Sequence, residues 1–249
     1  MRSAAIVRTA ALLIPALTAS LASAAPSIPA YINAAVADSA RPAEDKQRDA
    51  DRKPAETLAF AGVKPGDTVI EIAPGKGYYT RLLSAVVGAK GKVYAVGAQP
   101  KPDAPPPPVQ AIAADPHYSN VTVSLQKIAD LKLPEGVDLV WTTQNYHDLH
   151  NLHDVDVAKV NSAFFTALKP GGTYFLLDHA AEAGSGSRDT STLHRIDEET
   201  VKQEVTAAGF KLVGESDILR NKSDPHTAKV FDPEIRGHTD QFALKFKKP

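Results

Sequence analysis

No cysteine occurs in the 249 residues, so disulfides, thiolate-held zinc, iron–sulfur clusters and thiol nucleophiles are excluded, and redox chemistry would need a borrowed cofactor. An excess of either charge is also missing. Lys and Arg number 28 against 29 Asp and Glu, a formal net charge of -1, which argues against a surface held to nucleic acid by counterion release. Beyond the N-terminal segment there is no apolar run long enough to span a membrane. What is present is 43% apolar and 23% charged residues, the composition of a chain that buries a core and folds.

The N-terminal segment has its own pattern. Arg2 and Arg8 precede an apolar stretch, Ala10 to Leu21, that closes on Ala22-Ser23-Ala24. Basic, then apolar, then small-x-small is the order of a secretory signal peptide; Pro15 interrupts the run, which is too short for a membrane anchor. The expected organisation is a signal peptide over 1–24, a helical arm over 25–53 and one α/β domain over 54–249, exported to the periplasm and free of the membrane once cleaved.

Punctuation by Gly and Pro divides the rest. A short helix is expected from Ile28 to Asp38, a charged arm from Arg41 to Lys53, and a proline-started helix from Pro54 to Ala61. Strand Thr68 to Ile72, loop Ala73-Pro74-Gly75-Lys76-Gly77 and helix Tyr78 to Val87 follow. Further strands are expected at Lys92 to Val96, Val121 to Leu125, Val137 to Thr142, Thr173 to Leu177, Phe210 to Asp217 and Gln241 to Phe246. A polyproline-like loop covers Pro100 to Pro108, and a helix runs from Ile196 to Ala208. Strands alternating with helices imply a mostly parallel sheet with a ligand crevice at the carboxyl ends of its strands.

Residues at those ends carry the chemistry. Glu71 closes the first strand, and Gly75 and Gly77 let the backbone turn tightly and approach a ligand. His147 and Asp148 follow the fourth strand, Asp178 and His179 the fifth, so both pairs should open onto one crevice that Tyr146 could also line. His147 is a candidate general base; its alternative is a histidine that orders the turn through a loop carbonyl. His147, His150 and His153 lie within seven residues with Asp148 and Asp154 among them, but helical spacing spreads them over a wide arc, and a polar loop and helix start is preferred to a metal site. His194-Arg195-Ile196-Asp197 reads as a helix start or as a lid.

Glu71 with Gly75-Lys76-Gly77, then KVYAV, VDLVWTTQNYHDLHN, ALKPGG and AAGF, resembles the class I S-adenosylmethionine-dependent methyltransferases from about Arg52 onward. DRKPAETLAF, EIAPGKGYYT, NYHDLHN and LHRIDEETV look more narrowly like a bacterial group of predicted methyltransferases with export signals. The resemblance implies a Rossmann-like, seven-stranded sheet whose last strand, Gln241 to Phe246, runs antiparallel between the fifth and sixth. It implies S-adenosylmethionine as cofactor, with Glu71 and the loop Ala73 to Gly77 at its methionine end, Gln99 at the ribose and Asp130 by the adenine. Asn145 and Tyr146 would border the reacting methyl group, and the acceptor would be a small molecule methylated on O or N. Two residues depart from the family pattern. Ala73 replaces the usual glycine, which requires a negative φ there. Gln99 replaces the usual acid and cannot give a carboxylate's charge-assisted hydrogen bonds, so a ligand-binding module with an impaired cofactor site is the second expectation.

Overall fold

Apolar and β-branched residues buried from Val69 onward make Thr68–Ile72 a central strand, β1, covered on both faces. The computed structural model describes residues 27–249, so the signal-peptide segment lies outside the described residues. Around β1 the sheet contains β2 (Lys92–Ala98), β3 (Val121–Gln126), β4 (Val137–Thr143), β5 (Leu168–His179), β6 (Lys211–Ser216) and β7 (Gln241–Lys247), in the order β3-β2-β1-β4-β5-β7-β6. β7 runs antiparallel to both its neighbours, β5 and β6, while β1 to β5 pair in parallel. The chain leaves β1 for β2 on one side and returns to β4 on the other, and the crevice opens where that order reverses.

The N-terminal segment forms three short helices, α1 (Ala30–Val36), α2 (Ala43–Lys46) and α3 (Asp49–Arg52), followed by α4 (Pro54–Ala61). Ile32 and Ala35 share one apolar cluster with Leu58, with Leu82 and Val86 of α5 (Tyr78–Val87), and with Trp141 of the sheet. Charge holds the remainder of the arm. Buried Arg41 grips Asp49 through two hydrogen bonds of 2.9 and 2.6 Å, Tyr78 donates to the same carboxylate at 2.7 Å, and Arg81 pairs with Asp45 at 2.9 Å. Two short helices lie at the crevice rim, α6 (Val109–Ala114) and α7 (Tyr146–Leu149). The opposite face of the sheet is covered by α8 (Val157–Ala167) and α9 (Glu198–Ala207), the latter capped by Asp197.

β5 begins at Leu168, five residues before the expected Thr173, because the Lys169–Gly172 turn is absorbed as a register shift opposite Val137 and Leu139.

Candidate active site

Three cavities join along the carboxyl ends of the strands. The first, of about 390 Å³, is an apolar slot between the glycine loop, Gly97 and Ala98 at the end of β2, Leu125, and Pro107, Pro108 and Val109. Ala73, Pro74, Gly75 and Lys76 are shared with the second, of about 520 Å³, which reaches Glu71, Tyr78, Asn145 and Arg52. Arg48, Arg52, Gln144, Asp148 and Arg236 are shared in turn with the third, of about 280 Å³, lined also by His147, His179, His194 and Thr239. Each volume is of the order expected for part or all of a small-molecule site.

The loop that separates the first two cavities is held by backbone geometry. The Ala73 N–H donates to the Val96 carbonyl at 2.8 Å, and the Gly77 N–H to the Pro74 carbonyl at 2.8 Å. Ala73 has φ +52, not the negative φ expected from its side chain: the chain must reverse at the end of β1 while keeping the bond to Val96, and the left-handed region does both. That conformation costs an alanine about 1–2 kcal/mol. Ala73→Gly should therefore raise the unfolding free energy by about 0.5–1 kcal/mol, less than the strain because glycine gains entropy when unfolded. A lower urea midpoint at unchanged slope would contradict this. Gly77, at φ +79, is in a conformation side chains avoid, and a Cβ there would also displace the terminal methyl of Ile112.

Glu71 is 2% exposed and accepts a 2.5 Å hydrogen bond from the Thr80 hydroxyl. Burial pushes its carboxyl up to about 7, against the opposing effects of Thr80, Arg52 and Arg81. Arg52 stacks its guanidinium 4.5 Å from the centre of the Tyr78 ring and donates to Gln144 at 3.1 Å, yet its Nε is buried without a partner. Among the described residues, Arg48, Arg52 and Arg236 have no carboxylate within ion-pair distance. Arg48 is held below its ordinary range by burial and by Arg52 and Arg236. The junction of the second and third cavities is thus prepared for an anionic group.

In the third cavity the centre is His147. Its Nδ1 lies 2.8 Å from Oδ1 of buried Asp178, whose Oδ2 accepts the His147 backbone N–H at 2.8 Å. Burial disfavours the imidazolium, but the Asp178 carboxylate outweighs it and the His147 pKa rises; Asp178 is correspondingly held low. His147 Nε2 is 3.4 Å from Asp148 Oδ1 at the cavity wall. His179 is different. Burial pushes it down to about 4 and Nδ1 meets the Thr239 hydroxyl at 2.8 Å, so it lines the cavity as a neutral ring and is a weak base.

Several expected residues fall elsewhere. Tyr146 does not line the crevice: its ring is in the core, and its hydroxyl donates to Glu204 and accepts from Asn161, both at 2.8 Å. The turn after β4 sends residue 145 and residue 147 one way and residue 146 the other, which the sequence alone does not reveal. Asn145 stays at the second cavity, its amide fixed to the Ile72 and Thr143 carbonyls at 2.9 and 3.1 Å. Gln99 is exposed and lines none of the three cavities, its N–H being spent on Gln126; at the end of β2 it is Gly97 and Ala98 that line the first cavity. Asp130 is also outside them; its side chain is 74% exposed beside Lys132. The crevice is open along its length, and no sign of an impaired site accompanies the missing acid.

Sequence patterning does not reveal every residue of the site. Gln144, Arg236 and Thr239 come from loops without regular pattern, whereas His194 belongs to the segment read as a helix start or lid and does line the third cavity. Arg48 and Arg52 lie in the charged arm, where the intervening Asp49 and Asp51 make them read as an ordinary solvated charge run.

No protein-family model matches the chain. A demethylmenaquinone methyltransferase of Symbiobacterium thermophilum is 28% identical over 127 residues, so the match spans 49% of this chain and 47% of that protein. In three dimensions the chain is similar to a SAM-dependent methyltransferase from Aquifex aeolicus, with TM-score 0.60 and 20% identity over 84% of this chain and 99% of that one. It is similar also to an S-adenosylmethionine-dependent methyltransferase from Mesorhizobium loti, with TM-score 0.57 and 16% identity over 80% and 99%. The fold is the Rossmann-like, seven-stranded fold of class I methyltransferases.

Proposed function

We propose that this protein is an S-adenosylmethionine-dependent methyltransferase acting on a small-molecule acceptor. The observation that carries the reading is the joined series of cavities: an apolar slot for the adenosine end, a charged chamber around Glu71 and Arg52 for the methionine end, and a third chamber around His147 for the acceptor. The orphaned Arg52 Nε and the three unpaired guanidiniums suit an amino-acid carboxylate, and buried Glu71 suits an ammonium. When bound, the cofactor supplies a methyl group on a sulfonium, already electrophilic. The protein then contributes mainly position, plus removal of a proton where the acceptor carries one. Asp178 holds His147 in place at the point where that proton would leave.

Glu71 gives a test with a defined sign. Its raised folded pKa means that the unliganded chain is more stable with the carboxyl protonated; this contribution is complete below the ordinary carboxyl range and is lost as pH rises through about 7. A bound ammonium favours the carboxylate instead. Affinity for S-adenosylmethionine should therefore rise several-fold between about pH 6 and about pH 7, below the range in which the ligand's own α-ammonium loses its proton. Calorimetric titration of Glu71→Gln should show a weaker and nearly pH-independent affinity. The same slope in both proteins would remove Glu71 from the cofactor site.

We also propose that residues 1–24 direct export. Support comes from Arg2, Arg8 and the apolar run ending in Ala22-Ser23-Ala24, and mass determination of the protein recovered from its native host would show whether Ala25 is the N-terminus.

A further inference from the structure

His147 has two nitrogens with different surroundings. An ionised carboxylate can only accept, so the 2.8 Å contact with Asp178 places the proton of a neutral ring on Nδ1. Nε2 then carries the lone pair, with Asp148 Oδ1 3.4 Å away. A second imidazole approaches the same oxygen, His194 Nδ1 at 3.7 Å, and the three residues offer ligand atoms that all lie within 4.8 Å of one another. Three potential ligand atoms thus gather at one place, where a proton or a metal ion could bridge them.

The spacing suits the metal. Around an ion with bonds of about 2.0–2.2 Å, tetrahedral ligand atoms stand roughly 3.3–3.6 Å apart, close to the two shorter separations. His147 is braced by a buried carboxylate on its far nitrogen, the arrangement that orients histidines in metal sites. His194 is held at φ +57, in the left-handed region, beside Arg195, which is buried and anchored on Asp224. Side-chain exposure of 52% at Asp148 and 32% at His194 leaves one side of the cluster open to the third cavity.

We propose that His147, Asp148 and His194 bind one divalent transition-metal ion with an open position facing the acceptor chamber. Two imidazoles and one carboxylate favour borderline ions such as Zn²⁺ or Co²⁺ over Mg²⁺ or Ca²⁺, which take all-oxygen sites. This set differs from the local histidine cluster in the sequence: His150 turns away to Glu204 at 3.2 Å, and the third ligand comes from the loop before α9.

The catalytic part rests on the methyltransferase reading and, with Nε2 held by the ion, takes the place of proton removal by His147; the binding part does not depend on that reading. An acceptor hydroxyl at the open position would release its proton to solvent more readily. Its oxygen would form the new bond to the methyl carbon as the sulfonium S–C bond breaks, with the electron pair passing to sulfur to leave a neutral thioether.

The test uses the full chain, stripped with chelator and titrated with Co²⁺ while its visible absorption is followed. One ion per chain with the intense bands of a four- or five-coordinate site is expected. Zn²⁺ should abolish the bands. Asp178→Asn should weaken binding by about 10- to 100-fold. Asp148→Asn, at an exposed position where the fold does not depend on the charge, should remove the bands, as should His194→Ala, while His150→Ala should keep them. No bands in the wild type, or bands unchanged in Asp148→Asn and His194→Ala, would overturn the proposal and leave His147 as a protonated ring paired with Asp178. Titration of the same preparation with S-adenosylmethionine separates the two readings: Co²⁺ binding without cofactor binding sinks the methyltransferase reading alone, and the reverse sinks only the metal site.

Discussion

His147→Asn is expected to slow methyl transfer by about a hundredfold to ten-thousandfold while leaving the affinity for S-adenosylmethionine within about twofold. Asparagine is chosen because its amide can still donate to Asp178, so the buried carboxylate keeps a partner while Nε2 is lost. The separation is expected because His147 lines the third cavity and not the second, where Glu71, Asn145 and the glycine loop lie. Rate would be read as release of S-adenosylhomocysteine with an acceptor found by screening, and affinity by calorimetry. Equal loss of rate and affinity would mean that His147 orders the turn after β4 and takes no part in the chemistry.

The largest effect on stability is expected at Asp224. Arg195 and Asp224 are both 0% exposed in their side chains and joined by two hydrogen bonds of 2.8 and 3.1 Å. Arg195 also donates to the Ala180 and Ala228 carbonyls, and Asp224 accepts from the Asp240 N–H at 2.7 Å. This pair therefore ties the His194 loop and the end of β5 to the long connection between β6 and β7, which supplies Val230, Phe231, Arg236 and Thr239 to the third cavity. Asp224→Ala would leave a buried guanidinium uncompensated, at a cost of about 3–5 kcal/mol. The Asp224 carboxyl is held low by Arg195 and by backbone donors despite the opposing effect of burial. Its contribution should thus be present above the ordinary carboxylate range and fade as pH falls through the lowered value. Chemical denaturation of the two proteins at neutral pH measures the difference; a loss below about 1 kcal/mol would show that solvent reaches the pair.

Much of this architecture is legible in the order of residues. β1, α4 and α5 begin and end where the punctuation puts them, because Pro54, the Lys64–Asp67 turn and the glycine loop fix their ends chemically. The antiparallel β7 follows from family resemblance and not from any local signal, since QFALKFK would suit either direction. The site is less legible. His147, Asp148 and His179 can be placed at one crevice because strand ends are predictable, whereas Asp178, expected to open onto it too, is fully buried against His147, and Tyr146 escapes such placement because a turn of one residue decides which side its ring faces. Ala73 shows a related limit: its side chain argues for negative φ, and the hydrogen bond to Val96, made by a neighbouring strand, overrules it. His194 and Arg236 reach the cavity from segments whose path depends on the buried Arg195–Asp224 pair, a long-range contact that no spacing encodes.

The most direct test is isothermal titration of the chain with S-adenosylmethionine and S-adenosylhomocysteine, with Gly75→Val as control. Gly75 has φ +57, and no atom lies within 4 Å of the place a Cβ would take. Valine should therefore be tolerated by neighbouring side chains but should force the loop out of a conformation that branched residues avoid. Binding of both ligands at micromolar Kd, lost in a folded Gly75→Val, is the predicted result. Absence of binding to the wild type, or equal binding to both proteins, would contradict the assignment of the joined cavities to this cofactor.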